Sequence, residues 1–236
     1  LAAELRHLGG ILGLLTCDAK LGEEVTAYFA AISKGSRPSS FTELMVAPGN
    51  LHDQTLKLIL EETRVQRSGG RGHIMAKMNS LADPVIIEAL YEASAAGVAV
   101  DLMVRGICCL LPGIKGLSEN IRVVSVIDRF LEHSRIYYFR ASGEEKLYLS
   151  SADWMPRNFF TRYETAFPVK DPQLKSYIRD VILGNGLADT VKSWTLKADG
   201  VYARTAQTQA AKEIRSQMLF EALSKLDYKD TALAER

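Results

Sequence analysis

The sequence predicts an α/β fold: a mixed, partly parallel sheet flanked by helices, with part of another domain in front of it. Three observations carry this. From Phe41 onward, short apolar strand-like runs alternate with amphipathic helical ones, the pattern of βαβ units. Two Asp-Pro pairs, Asp83-Pro84 and Asp171-Pro172, stand where helices should begin, Asp as cap and Pro in the first turn. Beyond Pro112 the apolar runs follow one another too closely for helical crossovers, so the second half of the sheet should be partly antiparallel.

Taken in order, residues 1–37 read as the remnant of a preceding domain. A helix is predicted over Gly22–Ser33, with Val25, Tyr28, Phe29 and Ile32 on one face. The run K-G-S-R-P-S-S breaks that pattern and places a boundary there, Gly35 and Pro38 being the punctuation. F-T-E-L-M-V-A-P is a short strand stopped by Pro48, and Asn50 is placed to cap a helix carrying Leu51, Leu56, Ile59 and Leu60. R-S-G-G-R-G is a turn and H-I-M-A-K-M the next strand. Asp83 opens a helix whose buried stripe is Ile86, Ala89, Leu90 and Ala93, and Gly97 closes it.

V-A-V-D-L-M-V-R-G is apolar enough for the buried middle of a sheet. I-R-V-V-S-V-I, I-Y-Y-F, L-Y-L-S and R-Y-E-T-A-F-P-V supply the closely spaced strands, and Asp171 starts a helix reaching about Leu183. The main domain therefore spans 38–204. Residues 205–236 read as a long C-terminal helix from Thr205 to about Leu226 for packing or assembly, with Ile214, Met218, Leu219 and Leu223 on one face.

Composition narrows the function. With 47% hydrophobic and 24% charged residues this is an ordinary globular chain, and a net charge of +1 gives no global field for nucleic acid. A polyanion would have to be met by local clusters of Lys and Arg. Cys17 and the adjacent Cys108 and Cys109 are an odd count without C-x-x-C spacing, read as reduced, small buried side chains in a cytoplasmic protein. No apolar run approaches the length of a transmembrane helix. The opening L-A-A-E-L-R-H-L-G-G-I-L-G-L-L-T has neither an initiator Met nor a signal-peptide pattern, and reads as the start of a fragment.

The stretch Leu131–Asn158 is the richest in chemistry. It sets H-S-R on one strand against L-S-S-A-D-W-M-P-R-N at the end of the next. G-x-x-x-x-G-K-[ST], the dinucleotide fingerprint, H-E-x-x-H and G-x-S-x-G are all missing. A bound phosphate would be held by side chains at strand ends, where an open α/β sheet binds its ligands. Lys77 and Asn79, Arg105, His133 and Arg135, and Ser150, Ser151, Asp153, Arg157 and Asn158 occupy such ends. Singly, each has an ordinary structural explanation; together they suggest half of a phosphoryl-transfer site. His52 and His73 lack comparable company and are read as structural.

The runs A-K-M-N-S-L-A-D-P, R-G-I-C-C-L, R-F-L-E-H-S-R-I-Y-Y-F and L-S-S-A-D-W-M-P-R-N resemble the C-terminal part of bacterial polyphosphate kinases, a likeness running from about Leu14 to Arg204. The resemblance implies a phospholipase D-like domain. It also implies reversible phosphate transfer between ATP or ADP and polyphosphate through a phosphohistidine, with Mg2+. Arg105 and His133 match residues that contact the nucleotide phosphates, His133 as acid/base partner of the nucleophilic histidine. That nucleophile lies on an H-x-K strand these residues do not contain, and the fragment alone is expected to be inactive, with Mg2+ ligands mostly elsewhere. His7-Leu8-Gly9 matches the start of a further family run whose remainder is missing, either as its remnant or by chance. Homo-oligomers, a cytoplasmic location with peripheral membrane association, and no nucleic-acid partner are also implied. The alternatives are a phosphodiesterase of the phospholipase D superfamily, which would want His-x-Lys rather than His133-Ser134-Arg135, and a non-catalytic phosphate-binding or assembly module.

Overall fold

The computed structural model describes residues 3–8, 11–38, 41–205 and 213–224. Strands β1 (Ala3–Leu8) and β2 (Ile11–Thr16) form a separate antiparallel hairpin. Among the described residues the large sheet has nine strands. They are β3 (Met45–Ala47), β4 (His73–Met78), β5 (Ala99–Val104), β6 (Ile121–Val126), β7 (Arg135–Phe139), β8 (Lys146–Ser150), β9 (Glu164–Pro168), β10 (Ser193–Leu196) and β11 (Tyr202–Arg204). Their spatial order is β11-β10-β6-β5-β4-β7-β8-β9-β3. β4, β5 and β6 run parallel and every other pairing is antiparallel, as the spacing of the apolar runs predicts.

Alternation along the strands divides the core into two layers. Ile74, Ala76, Val100, Leu102, Tyr137 and Phe139 face α2 (Leu51–Arg67) and α3 (Pro84–Ala95). Met75, Met103, Ile136, Tyr138 and Leu149 face the other way. That second layer is covered by a segment that starts as α5 (Pro172–Ser176), widens into π turns over Tyr177–Leu183 and ends as α6 (Gly184–Leu187). Between β8 and β9 lies the short α4 (Pro156–Phe160). Asp83 caps α3 as expected, accepting from the Ile86 amide at 3.0 Å, and Gly97 closes it at φ +96°.

Several local expectations change. Asn50 does not cap α2; its Oδ1 accepts from the Val46 amide at 2.9 Å and ties down the turn after β3 instead. Helix α1 (Ala19–Ser33) starts three residues early because the Asp18 carboxylate takes the Leu21 amide at 2.9 Å. Its inner face is Leu21, Glu24 and Tyr28, whereas Phe29 is 63% exposed. A buried carboxylate that collects the donors of the 42–44 turn sets that face, which an apolar-stripe reading misses. The long C-terminal helix is α7 (Ser216–Ser224) in the described residues. Residues 213–215 are not helical, because the Ile214 carbonyl accepts from the Thr190 amide at 2.9 Å and anchors this segment beside the sheet. Ser216, Gln217 and Phe220 are its buried residues, and Met218 is exposed. The predicted helical residues 206–212 and 225–226, with Ser39 and Ser40 at the boundary, lie outside the described residues, as do Gly9 and the side chains of His7 and Leu8.

No disulfide joins the three cysteines, but Cys17 and Cys109 are exposed and Cys108 is partly buried. The main chain sets the position of the pair: the Cys109 amide donates to the Leu81 carbonyl at 2.9 Å, which leaves its side chain outside. Among the described residues no helix is long and apolar enough to cross a membrane.

Candidate functional site

Parallel strands β4, β5 and β6 all finish at one edge of the sheet. Antiparallel pairing of Lys77 with Ile136 and of Arg135 with Ser150 brings the start of β7 and the end of β8 to the same edge. Main-chain bonds join the loops there. Leu81 N donates to Ile107 O at 2.8 Å, Ala82 N to Trp154 O at 2.9 Å, and Gly106 N to Asn79 O at 2.8 Å. R-G-I-C-C-L and S-S-A-D-W, far apart in sequence, thus meet around Leu81. Gly106 permits the approach, since a Cβ there would lie 2.8 Å from the Asn79 carbonyl oxygen.

Asp153 and Arg135 form the floor of the edge, both side chains buried. Asp153 Oδ1 accepts from Arg135 Nε at 3.1 Å and the Asn79 amide at 2.7 Å; Oδ2 accepts from Arg135 Nη2 at 3.2 Å and Asn79 Nδ2 at 3.3 Å. The remaining Arg135 nitrogen, Nη1, donates to the His133 carbonyl at 2.8 Å and lies 2.8 Å from Nδ1 and 3.1 Å from Nε2 of its ring. An arginine cation this close to both ring nitrogens disfavours the imidazolium, whichever tautomer the ring adopts. Its pKa is correspondingly lowered, by loss of water around the ring first and then by Arg135, Arg105 and Lys77, with Asp153 opposing.

Lys77 is buried beside this floor. Its Nζ lies 3.1 Å from a Glu132 carboxylate oxygen and donates to Ser134 Oγ at 2.8 Å. Burial pulls the ammonium pKa down, Glu132 opposes, and Arg105 and Arg135 add to the fall. Arg105, at the end of β5, is partly buried and its pKa is also lowered, by burial and by Arg135. Its Nε is buried with no hydrogen-bond partner among the described residues. A buried donor without an acceptor is costly, and an anionic oxygen would remove that cost.

A cleft of about 400 Å³ opens beside His133 and Arg135. Ser150, Ser151, Asn158, Arg162 and Glu164 line its far side and Ile11 and Leu12 of the hairpin one wall. There Glu164 is held by the Ser151 hydroxyl and by Asn158 Nδ2 at 2.6 Å. Lys77 and Arg105 border a narrower gap next to it, with Glu132. The structure therefore gathers every sequence-predicted candidate except Arg157, which is exposed on α4 away from the cleft lining. Sequence reasoning missed Glu132, Arg162 and Glu164. A carboxylate opening the R-Y-E-T strand beside several donors was the available clue for Glu164.

Magnesium does not fit this cluster. Among the described residues no group of three or more His, Cys, Asp or Glu side chains could hold a metal ion. The carboxylates of Asp153, Glu132 and Glu164 already accept from Arg135 and Asn79, from Lys77 and Gln217, and from Ser151 and Asn158. Taken together, the edge presents an imidazole whose pKa is lowered, two cations close by and a guanidinium N–H without a partner among the described residues. Such an arrangement can take up phosphoryl oxygens and exchange a proton with them.

Comparison with known proteins places the chain among its relatives. The family model for the polyphosphate kinase C-terminal domain 2 matches residues 44–217. The polyphosphate kinase of Synechocystis sp. is 48% identical over 211 residues, 89% of this chain and 29% of that protein. That of Bacillus anthracis is 48% identical over 219 residues, 93% of this chain and 30% of its own length. Among solved structures, the polyphosphate kinase from Porphyromonas gingivalis superposes with a TM-score of 0.84 and 37% identity. It covers 93% of this chain and 34% of that one. The chain thus spans just under a third of the curated relatives it matches, and it belongs to the polyphosphate kinase family.

Proposed function

We propose that this chain supplies the phosphate-binding side of a polyphosphate kinase, which moves the terminal phosphate of ATP reversibly onto polyphosphate. The observation that best supports it is the gathering of Lys77, Arg105, His133 and Arg135 at one sheet edge, in a chain whose net charge is only +1. Arg105 holds phosphoryl oxygens through its open guanidinium N–H groups, a planar donor set that lysine cannot reproduce. Arg135 is occupied by Asp153 and supports His133 from below. His133 takes or returns the proton that accompanies transfer. In this reading the nucleophile is a histidine outside these 236 residues. Its N–P bond forms as the bond between the γ-phosphorus and the β,γ-bridging oxygen of ATP breaks, and a terminal polyphosphate oxygen then displaces the histidine. Any magnesium bound to the nucleotide would be held by groups other than those above. The same reading takes residues 1–37 as part of a preceding domain, residues 38–204 as the phosphate-binding domain, and the location as cytoplasmic.

Calorimetric titration of the chain with ATP and with tripolyphosphate tests this. Both should bind, and Arg105→Ala should weaken binding about tenfold, the worth of one or two charged hydrogen bonds. Radiolabelled ATP should leave no acid-labile, base-stable label on the chain. Rapid labelling would overturn the placement of the nucleophile. Hydrolysis of a generic phosphodiester, abolished by His133→Ala, would replace the kinase reading with a phosphodiesterase.

A further inference from the structure

The loop between β6 and β7, residues 127–134, carries His133 but has little core of its own: Ile127 and Leu131 are exposed. What fixes it comes from the distant C-terminal segment. Arg215 forks onto Asp128, Nε to Oδ2 at 2.8 Å and Nη2 to Oδ1 at 2.7 Å. Ser216 is anchored to the sheet side, its amide and hydroxyl both donating to Asp189 Oδ2 at 2.8 Å. Gln217, buried, accepts from the Phe130 amide at 2.7 Å through Oε1, and its Nε2 donates to the Phe130 carbonyl at 2.8 Å and to Glu132 Oε1 at 2.9 Å. The other Glu132 oxygen holds Lys77, which also binds Ser134.

One primary amide therefore satisfies both main-chain groups of Phe130 and one oxygen of Glu132, while Lys77 completes the grip on Ser134. His133 projects between two clamped neighbours. A side chain offering both a donor and an acceptor at that reach is required. Glutamate has no N–H to give, and alanine reaches nothing.

We propose that Gln217, aided by Arg215, is a positioning residue for His133: it locks the 128–134 loop so that the imidazole is held over Arg135 in the geometry phosphate needs. This rests on the phosphate-site reading above. It also makes the C-terminal segment part of the site's support rather than only a packing or assembly helix.

The test uses the 236-residue chain, Gln217→Ala, and Arg215→Gln, whose change lies at a partly exposed side chain. Histidine-ring NMR should show the His133 resonances shifted or broadened in both variants while those of His52 and His73 stay in place, which reports an intact fold. Exchange of the Phe130 amide should quicken, and the dissociation constant for tripolyphosphate should rise about tenfold in Gln217→Ala and less in Arg215→Gln. His133 resonances and tripolyphosphate affinity within about twofold of the parent in a folded Gln217→Ala chain would overturn the proposal. If the parent chain binds no tripolyphosphate, the phosphate-site reading fails by itself. Exchange at Phe130 still decides the clamp, and unchanged protection in Gln217→Ala would refute it.

Discussion

Asp153 and Arg135 close a two-pronged bond beneath His133, Nε to Oδ1 at 3.1 Å and Nη2 to Oδ2 at 3.2 Å, with both side chains buried. The carboxylate comes from the turn after β8 and the guanidinium from the start of β7, so the pair joins two strand ends as well as two charges. Asn79 adds a third strand end through its amide and side chain. Removing Asp153 leaves Arg135 charged, buried and unpaired, and strips the Asn79 amide of its acceptor. Asp153→Ala should lower stability by about 3–5 kcal/mol, the usual result of breaking one side of a buried pair. Replacing both residues with apolar ones of similar size should cost less, and urea unfolding of the two chains side by side decides it.

His133 should titrate below its ordinary value of 6.5 in the free protein, because loss of water and the nearby Arg135, Arg105 and Lys77 all disfavour the imidazolium. With the folded value below the unfolded one, the unfolded chain takes up the proton first. The contribution to stability is full above about 6.5 and is lost as pH falls through the depressed folded value. Arg105→Ala should move the titration upward, and saturating tripolyphosphate should move it further by offsetting the surrounding cations. A pH series of His133 ring shifts reads all three states. A downward move in Arg105→Ala would contradict the account.

Much of the fold was legible in the sequence because its signals are local. Asp83-Pro84 and Gly97 bracket α3 by cap and turn chemistry alone. The run V-A-V-D-L-M-V is apolar because β5 lies inside the sheet, with a parallel neighbour on each side. That Arg105, Arg135 and Asp153 share one edge was legible for the same reason, since strand ends can be counted along the chain, whereas His133, expected on the strand with Arg135, lies in the loop just before β7. What escaped depends on contacts over long separations. Gln217 and Glu132 meet across 85 residues, and no periodicity marks a glutamine as the partner of a loop amide. Asn50 looked like a cap because caps and turn-bracing side chains use the same residue types. The short β10 and β11 carry too few residues to show an alternation.

Gly106 stands next to Arg105, the proposed phosphate ligand, and packs too closely to carry a side chain. A methyl group there would press on the Asn79 carbonyl oxygen at 2.8 Å and on Ser80 Oγ at 3.3 Å. Backbone cannot yield as a side-chain tip can. Gly106→Ala should therefore push the end of β5 away from β4, costing about 1–3 kcal/mol. ATP and tripolyphosphate affinity should fall together, because the displaced group is shared by both ligands. Thermal unfolding and calorimetry measure the two effects. Unchanged affinity in a destabilised variant would separate Gly106 from the site.

Glu24 sets a pH dependence away from the site. Its carboxylate accepts from Thr42 N at 3.0 Å, Thr42 Oγ1 at 2.7 Å, Glu43 N at 3.0 Å and Leu44 N at 2.8 Å, so α1 holds the turn that leads into β3. Burial alone would raise its pKa, but these donors outweigh it and bring the value from 4.5 down to about 2. The unfolded chain thus binds the proton near 4.5 and the folded chain only near 2. The resulting stabilisation is complete above 4.5 and disappears as pH falls toward 2. Its size is about 3 kcal/mol by linkage, a tenfold change in proton affinity being worth about 1.4 kcal/mol. Glu24→Gln should lose much of this at neutral pH and should flatten the stability curve between those two values relative to the parent. Urea midpoints at about pH 7, 4.5 and 3 supply the comparison, and parallel curves for the two chains would show that Glu24 contributes no such linkage.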